Sequence, residues 1–158
     1  MPWTPAQLKA AYLAISPTPA SLEAAATALN VQTTTVTVPV PIASVAAYLG
    51  LVGKLGAIEA FAKSPPTGAS SQSVAAAQGL WEMIQSSAAF PPFDMPNPTV
   101  AAEVEAMLAA LVSPGTGVTA PIDSTDQATI LALASQTVSV WQPAVTAGDL
   151  QTALALVP

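Results

Sequence analysis

The chain has 158 residues, enough for one domain with a real core or at most two very small ones. Only 8% of it is charged, against about 25% in ordinary soluble domains; three lysines, no arginine, no histidine, no cysteine and nine carboxylates give a net charge of −6. That inventory excludes a Ser-His-Asp triad, a Cys-His pair, a thiolate or imidazole metal site and an arginine clamp, and three lysines on an acidic chain cannot neutralise a nucleic-acid backbone.

In chain order, Thr4-Pro5-Ala6-Gln7 has the spacing of a capping box, with Thr4 as N-cap, Pro5 in the first helical position and Gln7 able to reach back. Leu8, Tyr12 and Ile15 then share one apolar face. Ser16-Pro17-Thr18-Pro19 breaks that helix and opens a second, whose stripe is Leu22, Ala25, Ala26 and Leu29 and whose expected C-cap is Asn30. Residues 4–30 therefore predict an antiparallel helical hairpin, its alanines permitting close approach.

The next stretch, 31–41, is the one clearly extended piece. Val36, Val38 and Val40 alternate with Thr35 and Thr37, and β-branched residues at period two favour a pleated strand over a helix. Alternate N–H groups of a strand point to one side, so Pro39 and Pro41 remove two donors from one edge and leave the pairing groups of the valines on the other. The best partner within the chain is Thr137-Val138-Ser139-Val140-Trp141, alternating in the same way; otherwise the strand pairs with a neighbouring molecule or runs as a hydrated connector.

Beyond the arm, residues 42–158 predict a helical body. Val45, Tyr48, Leu49 and Val52 are followed, past Gly53, by Leu55, Ile58 and Phe61, and the glycines at 50, 53 and 56 predict a bend between two short helices. A loop over 64–70 leads to a helix of about four turns through Val74, Ala77, Leu80, Trp81 and Ile84. Phe90-Pro91-Pro92-Phe93-Asp94-Met95-Pro96 is rigid, aromatic and non-helical; such a segment docks on another subunit or folds back over its own core. Asn97-Pro98 starts a helix whose stripe is Val100, Val104, Met107, Leu108 and Leu111. After the loop 113–117, Asp123 or Ser124 caps the next helix, with Gln127 three residues past Ser124, and Ile130, Leu131, Leu133 and Ala134 follow. A last helix opens at Thr146-Ala147-Gly148-Asp149 and runs through Leu150, Leu154 and Val157. The predicted fold is mainly α: a single helical domain over 1–158, a bundle of about seven or eight short helices with one extended arm, and no fixed repeat length.

The mean hydropathy of +0.55 raises the question of a membrane span. Ile42 to Gly53 is only twelve uncharged residues, where a span needs about 20, and the 22 uncharged residues from Gln127 to Gly148 are diluted by Gln136, Gln142, Pro143 and several Ser and Thr. No span is expected, and the N-terminus lacks the basic start and apolar core of a secretory signal. Absence of cysteine fits a reducing compartment.

Among the carboxylates, Glu103 and Glu105 stand two apart on a helix and diverge, and Asp123 and Asp126 lie at a helix start, where the dipole accounts for them. Glu82 and Asp94 are what remains for a glycosidase-like pair. Asp123-Ser124-Thr125-Asp126 lacks the ligand count and glycine of a calcium loop. No catalytic, cofactor or metal residue is therefore assigned, and no small-molecule substrate. A weakly charged surface of Ala, Thr, Ser, Gln and Pro leaves broad areas that another protein can cover without desolvating charge. The interaction residues assigned on this basis are Val36, Val38, Val40, Phe90 and Phe93.

The opening Thr4-Pro5-Ala6-Gln7-Leu8-Lys9, the second helix ending Ala28-Leu29-Asn30, and the capped short helices after a Val/Thr-rich extended piece resemble small helical proteins from the structural gene modules of tailed bacteriophages and prophages. The match covers about the first thirty residues; in the second half such proteins carry more charge and arginine than this chain does. The resemblance implies a non-enzymatic, multi-copy virion component made in the bacterial host cytoplasm: a head-to-tail adaptor, neck or tail piece, or alternatively a capsid decoration protein. Its partners would be further copies of the chain and other virion structural proteins. A membrane-associated or cell-surface helical protein is the remaining alternative.

Overall fold

A computed structural model of the chain describes residues 3–156. Within them two helices, a strand, five helices, a second strand and a last helix follow in order, so the fold is mainly α as the periodicity predicts. The chain divides into two compact units, one formed by Met1–Val36 together with Thr137–Pro158 and the other by Thr37–Gln136. Where the sequence predicts one helical domain, the structure thus sets the first helices together with the last.

In the unit built from the chain ends, α1 (Pro5–Leu13) opens on the predicted capping box: the Gln7 N–H donates to Thr4 Oγ1 at 3.2 Å and the Thr4 N–H donates to Gln7 Oε1 at 2.8 Å. The second helix, α2 (Leu22–Asn30), is capped by Ser21, and α8 (Ala147–Leu156) closes the unit. The helices α1 and α2 of the expected hairpin touch each other and are joined by α8, which packs on both and is the main partner of α1. Periodicity identifies which faces are apolar but not which face meets which, and the core of Leu8, Ala25, Leu29, Trp141, Leu150 and Ala153 needs side chains from both ends of the chain.

Asn30 also differs from expectation. It is the last residue of α2 and is followed by Val31 in a right-handed conformation, so no left-handed cap is formed. Its amide instead grips one peptide unit of the distant segment, with Nδ2 donating to the Val145 carbonyl at 2.8 Å and the Val145 N–H donating to Oδ1 at 2.8 Å. Of the stripe predicted for α8, Leu150 is buried and Leu154 half-buried, while Val157 lies outside the described residues.

The central unit holds α3 (Ile42–Leu51), α4 (Leu55–Lys63), α5 (Ser71–Gln85), α6 (Pro98–Val112) and α7 (Ser124–Ala132). Neighbours from α4 to α7 pack in succession, α3 leans on α5, and Val45, Leu49, Ile58, Leu80, Leu108 and Leu111 fill the core. The predicted bend is present: α3 and α4 meet at 106°, with Gly53 at φ +71° between them. No single helix among the described residues is long and apolar enough to cross a membrane.

Two loops of this unit lock together. The Pro114 carbonyl accepts from the Ser70 N–H at 2.7 Å and from the buried Ser73 hydroxyl at 3.0 Å. Gly115, at φ +149°, lies so close that a Cβ there would collide with the Gly68 carbonyl oxygen. Gly115→Ala is expected to cost about 1–3 kcal/mol in denaturant unfolding, from backbone strain and the parting of the two loops.

At the start of α8, the Asp149 carboxylate accepts from the Thr146 hydroxyl at 2.6 Å and from the Thr146 N–H at 2.8 Å, while the Asp149 N–H donates back to Thr146 Oγ1. The Thr146 hydroxyl first, then its N–H, hold the carboxyl below its ordinary value, outweighing a small opposing effect of burial. A pKa lowered by folding stabilises the protein fully above the unfolded value and less as pH falls through the folded one. The melting-temperature gap between the native chain and Asp149→Ala should therefore be widest near neutrality and close below about pH 4.

Candidate interaction surface

The extended arm forms β1 (Thr33–Thr37), which pairs with β2 (Ser135–Ser139). The Val140 N–H donates to the Gln32 carbonyl at one end and the Val38 N–H to the Ala134 carbonyl at the other, at 3.0 and 2.7 Å. Residue numbers facing each other sum to 172 at both ends, so the strands are antiparallel and the register has no bulge. The partner is the segment named from the sequence, shifted toward the N-terminus by two residues.

This register sorts side chains and main-chain groups together. Even-numbered residues of β1 aim their N–H and C=O groups at β2; Thr33, Thr35 and Thr37 aim theirs at the opposite, outer edge. One face of the ribbon carries Val36, Val38, Val138 and Val140 together with Thr34 and Gln136, while the other carries only hydroxyl side chains: Thr33 opposite Ser139, Thr35 opposite Thr137, Thr37 opposite Ser135. Thr33, Thr35 and Thr37 are all exposed, and the sheet has no third strand among the described residues.

The five interaction residues named from the sequence divide accordingly. Val36 and Val38 are half-buried on the valine face. Val40 is only 2% exposed: past Pro39 it forms a single antiparallel bridge with Phe93, each N–H donating to the other's carbonyl at 2.9 Å. Phe93 is half-buried against the same core, so Val40 and Phe93 serve the chain's own packing, where no partner reaches Val40. Phe90, at 37%, stays exposed. Elsewhere Leu13 (68%), Val31 (72%), Leu51 (86%) and Val140 (47%) present apolar side chains to solvent.

Both strands lie in charge-free sequence, residues 24–53 and 127–148. Sequence reasoning assigned the valines and missed the outer edge of threonines, although the Pro39/Pro41 alternation carries it: a proline on the outward parity says that the odd residues face away from β2.

Four of the nine carboxylates, Glu59, Asp123, Asp126 and Asp149, are engaged in structural work. Asp123 is the N-cap of α7, its Oδ1 accepting from the N–H groups of Thr125 and Asp126, and Asp126 rather than Gln127 closes the box by accepting from the Asp123 N–H at 3.0 Å. Those backbone donors, the Asp126 N–H foremost, and the Lys54 ammonium hold the Asp123 carboxyl below its ordinary value against burial. Asp126 is 4% exposed and also accepts from the Tyr48 hydroxyl at 2.9 Å, with Lys54 Nζ 3.6 Å from both carboxylates. The Thr129 hydroxyl pulls the Tyr48 phenol down, but the bond to Asp126, burial and the two carboxylate charges together raise it, so it stays a donor. This cluster joins α3, the α3–α4 turn and α7, and no sequence spacing announces it because its paired members lie 69, 72 and 78 residues apart or adjoin only through the cap. Glu82, Asp94, Glu103 and Glu105 are exposed.

Comparison with protein-family models, characterised proteins and solved structures finds no match for the chain.

Asp126→Ala removes the acceptor of the Tyr48 hydroxyl and the Asp123 N–H together. Denaturant unfolding should show a loss of about 2 kcal/mol, and Tyr48→Phe combined with it should add little, since both changes delete the same bond.

Proposed function

We propose that the chain is a non-enzymatic assembly protein, a multi-copy structural component of a tailed-phage virion in the head-to-tail adaptor, neck or tail region. The observation that carries this reading is the surface around β1: a charge-free strand with main-chain groups facing outward, next to exposed apolar side chains at Val31 and Val140. Such a surface loses little on being covered, because there is no charge to desolvate, and gains main-chain hydrogen bonds from any extended partner. The phage-particle setting rests on the resemblance of residues 4–30 to phage structural proteins, and the engagement of Asp123, Asp126, Asp149 and Glu59 in caps and ion pairs accords with a role outside catalysis.

The test is mass spectrometry of density-purified particles from the source that encodes the chain, with immunogold labelling. Its peptides should appear at a level comparable to those of other minor structural proteins, and the label should sit at the neck or tail. Label spread over the capsid surface would make it a decoration protein, and absence from the particles would sink the virion assignment.

A further inference from the structure

We infer that β1 is the seat of a two-fold pairing between copies of this chain, in which the β1 strands of two molecules lie antiparallel with Thr35 on the axis and form the four-stranded sheet β2-β1-β1-β2. This rests on the assembly reading above and names the partner of its surface as a second copy.

Three features of the strand carry it. The register with β2 turns the N–H and C=O groups of Thr33, Thr35 and Thr37 outward, and all three residues are exposed. Natural edge strands are guarded by charge, bulges or a covering element; here there is no charged residue from 24 to 53, the ladder is unbulged, and the sheet stops at two strands among the described residues. Among the described residues its guards are Pro39 and Pro41, which lie beyond the strand's C-terminal end and bound any ladder there.

The edge is also complementary to itself. A two-fold axis at Thr35 places residues summing to 70 opposite each other: Thr33 meets Thr37 of the second copy, Thr35 meets Thr35, and Thr37 meets Thr33. Every outward residue then faces an outward residue, each pair in the hydrogen-bonded geometry that exchanges two bonds, about six in all. Threonine directly opposite threonine is a favourable cross-strand pair, and no like charges are brought together. An axis midway between two residues would set outward groups against inward ones, while an axis on Thr34 or Val36 keeps the parity but opposes one outward threonine to Val31 or to Pro39, which has no N–H. The outer edge of β2 is the poorer choice, since Ser139 is folded back there, its hydroxyl donating to the Trp141 carbonyl and accepting from the Trp141 N–H.

The chain contains no cysteine, so an introduced one reports position without background. Opposed residues of a hydrogen-bonded pair have Cα atoms about 5.5 Å apart, within disulfide reach, whereas Thr33 and its own symmetry mate would be about 14 Å apart. Light scattering over a concentration series should show a dimer of the 158-residue chain. Thr35→Cys should oxidise to a covalent dimer, Thr33→Cys alone should not, and Thr33→Cys mixed with Thr37→Cys should cross-link. Thr35→Pro removes one outward N–H from each copy, two bonds per dimer, and should raise the dissociation constant about tenfold, while Thr137→Pro on the β2 edge should leave it unchanged. Circular dichroism checks that each variant is folded; if Thr35→Pro is not, Thr35→Lys, which sets two ammonium groups against each other on the axis, is read in its place.

A monomer at every concentration overturns the pairing, as does a dimer that survives both Thr35 changes, one that dissociates on Thr137→Pro alone, or self-cross-linking by Thr33→Cys. None of these outcomes bears on whether the chain is found in purified particles, so the pairing and the virion assignment fail separately.

Discussion

Alternation of main-chain hydrogen-bonding groups along residues 31–41 is the constraint on which the candidate surface depends. An extended segment offers its N–H and C=O groups alternately to two sides, and each side must find a partner or water. On the even side, Gln32 and Val38 bind the second strand and Val40 binds Phe93, so one edge is satisfied within the chain from end to end. Pro39 and Pro41 fall on the odd parity, where their missing donors cost the internal ladder nothing. Sequence and register thus agree on which edge is internal, and what remains on the other is a short run of threonine.

Scarcity of charge shapes the rest of the molecule. Lys54 and Lys63 are both engaged, the first with Asp123 and Asp126, the second with Glu59 and over the Trp81 ring at 5.7 Å. With so few ions to place, helix starts are closed by short polar side chains: Thr4, Ser21, Ser70, Asn97 and Asp123 each accept a backbone N–H at the head of a helix. Among the described residues no buried side-chain polar atom lacks a hydrogen bond. The protein therefore reaches ordinary polar satisfaction by local capping, with few charged side chains on its surface.

What was legible in the sequence was what is local. The Thr4 box, the Asn97-Pro98 start, the bend at Gly53 and the alternation at Val36 and Val38 all depend on residues within one turn or one strand of each other. What was not legible depends on residues far apart in the sequence meeting. Asn30 looks like a cap from its position, but it clamps Val145, 115 residues away; Asp126 looks like a helix-dipole residue, but it also receives a hydroxyl from Tyr48, 78 residues away. The same holds for α8, whose short apolar stripe says only that it must be buried and nothing about its place beside α1. Val40 was assigned to the surface because it continues the valine alternation, yet the bridge to Phe93 draws it into the core.

An open strand edge ordinarily invites unlimited addition, because each added strand presents a new edge. The geometry here limits that. The free ladder is five residues long, bounded by α2 on one side and Pro39 on the other, so a partner gains few bonds unless it matches the run closely. Pairing about a two-fold axis is isologous: each copy's threonine edge is consumed by the other's, and no second identical edge is regenerated. The carboxylates lie outside the charge-free stretches that hold the strands, so a net charge of −6 per copy opposes indiscriminate crowding without a like charge entering the ladder itself. Short length, proline at one end and self-complementarity together turn an aggregation liability into a contact that closes on itself.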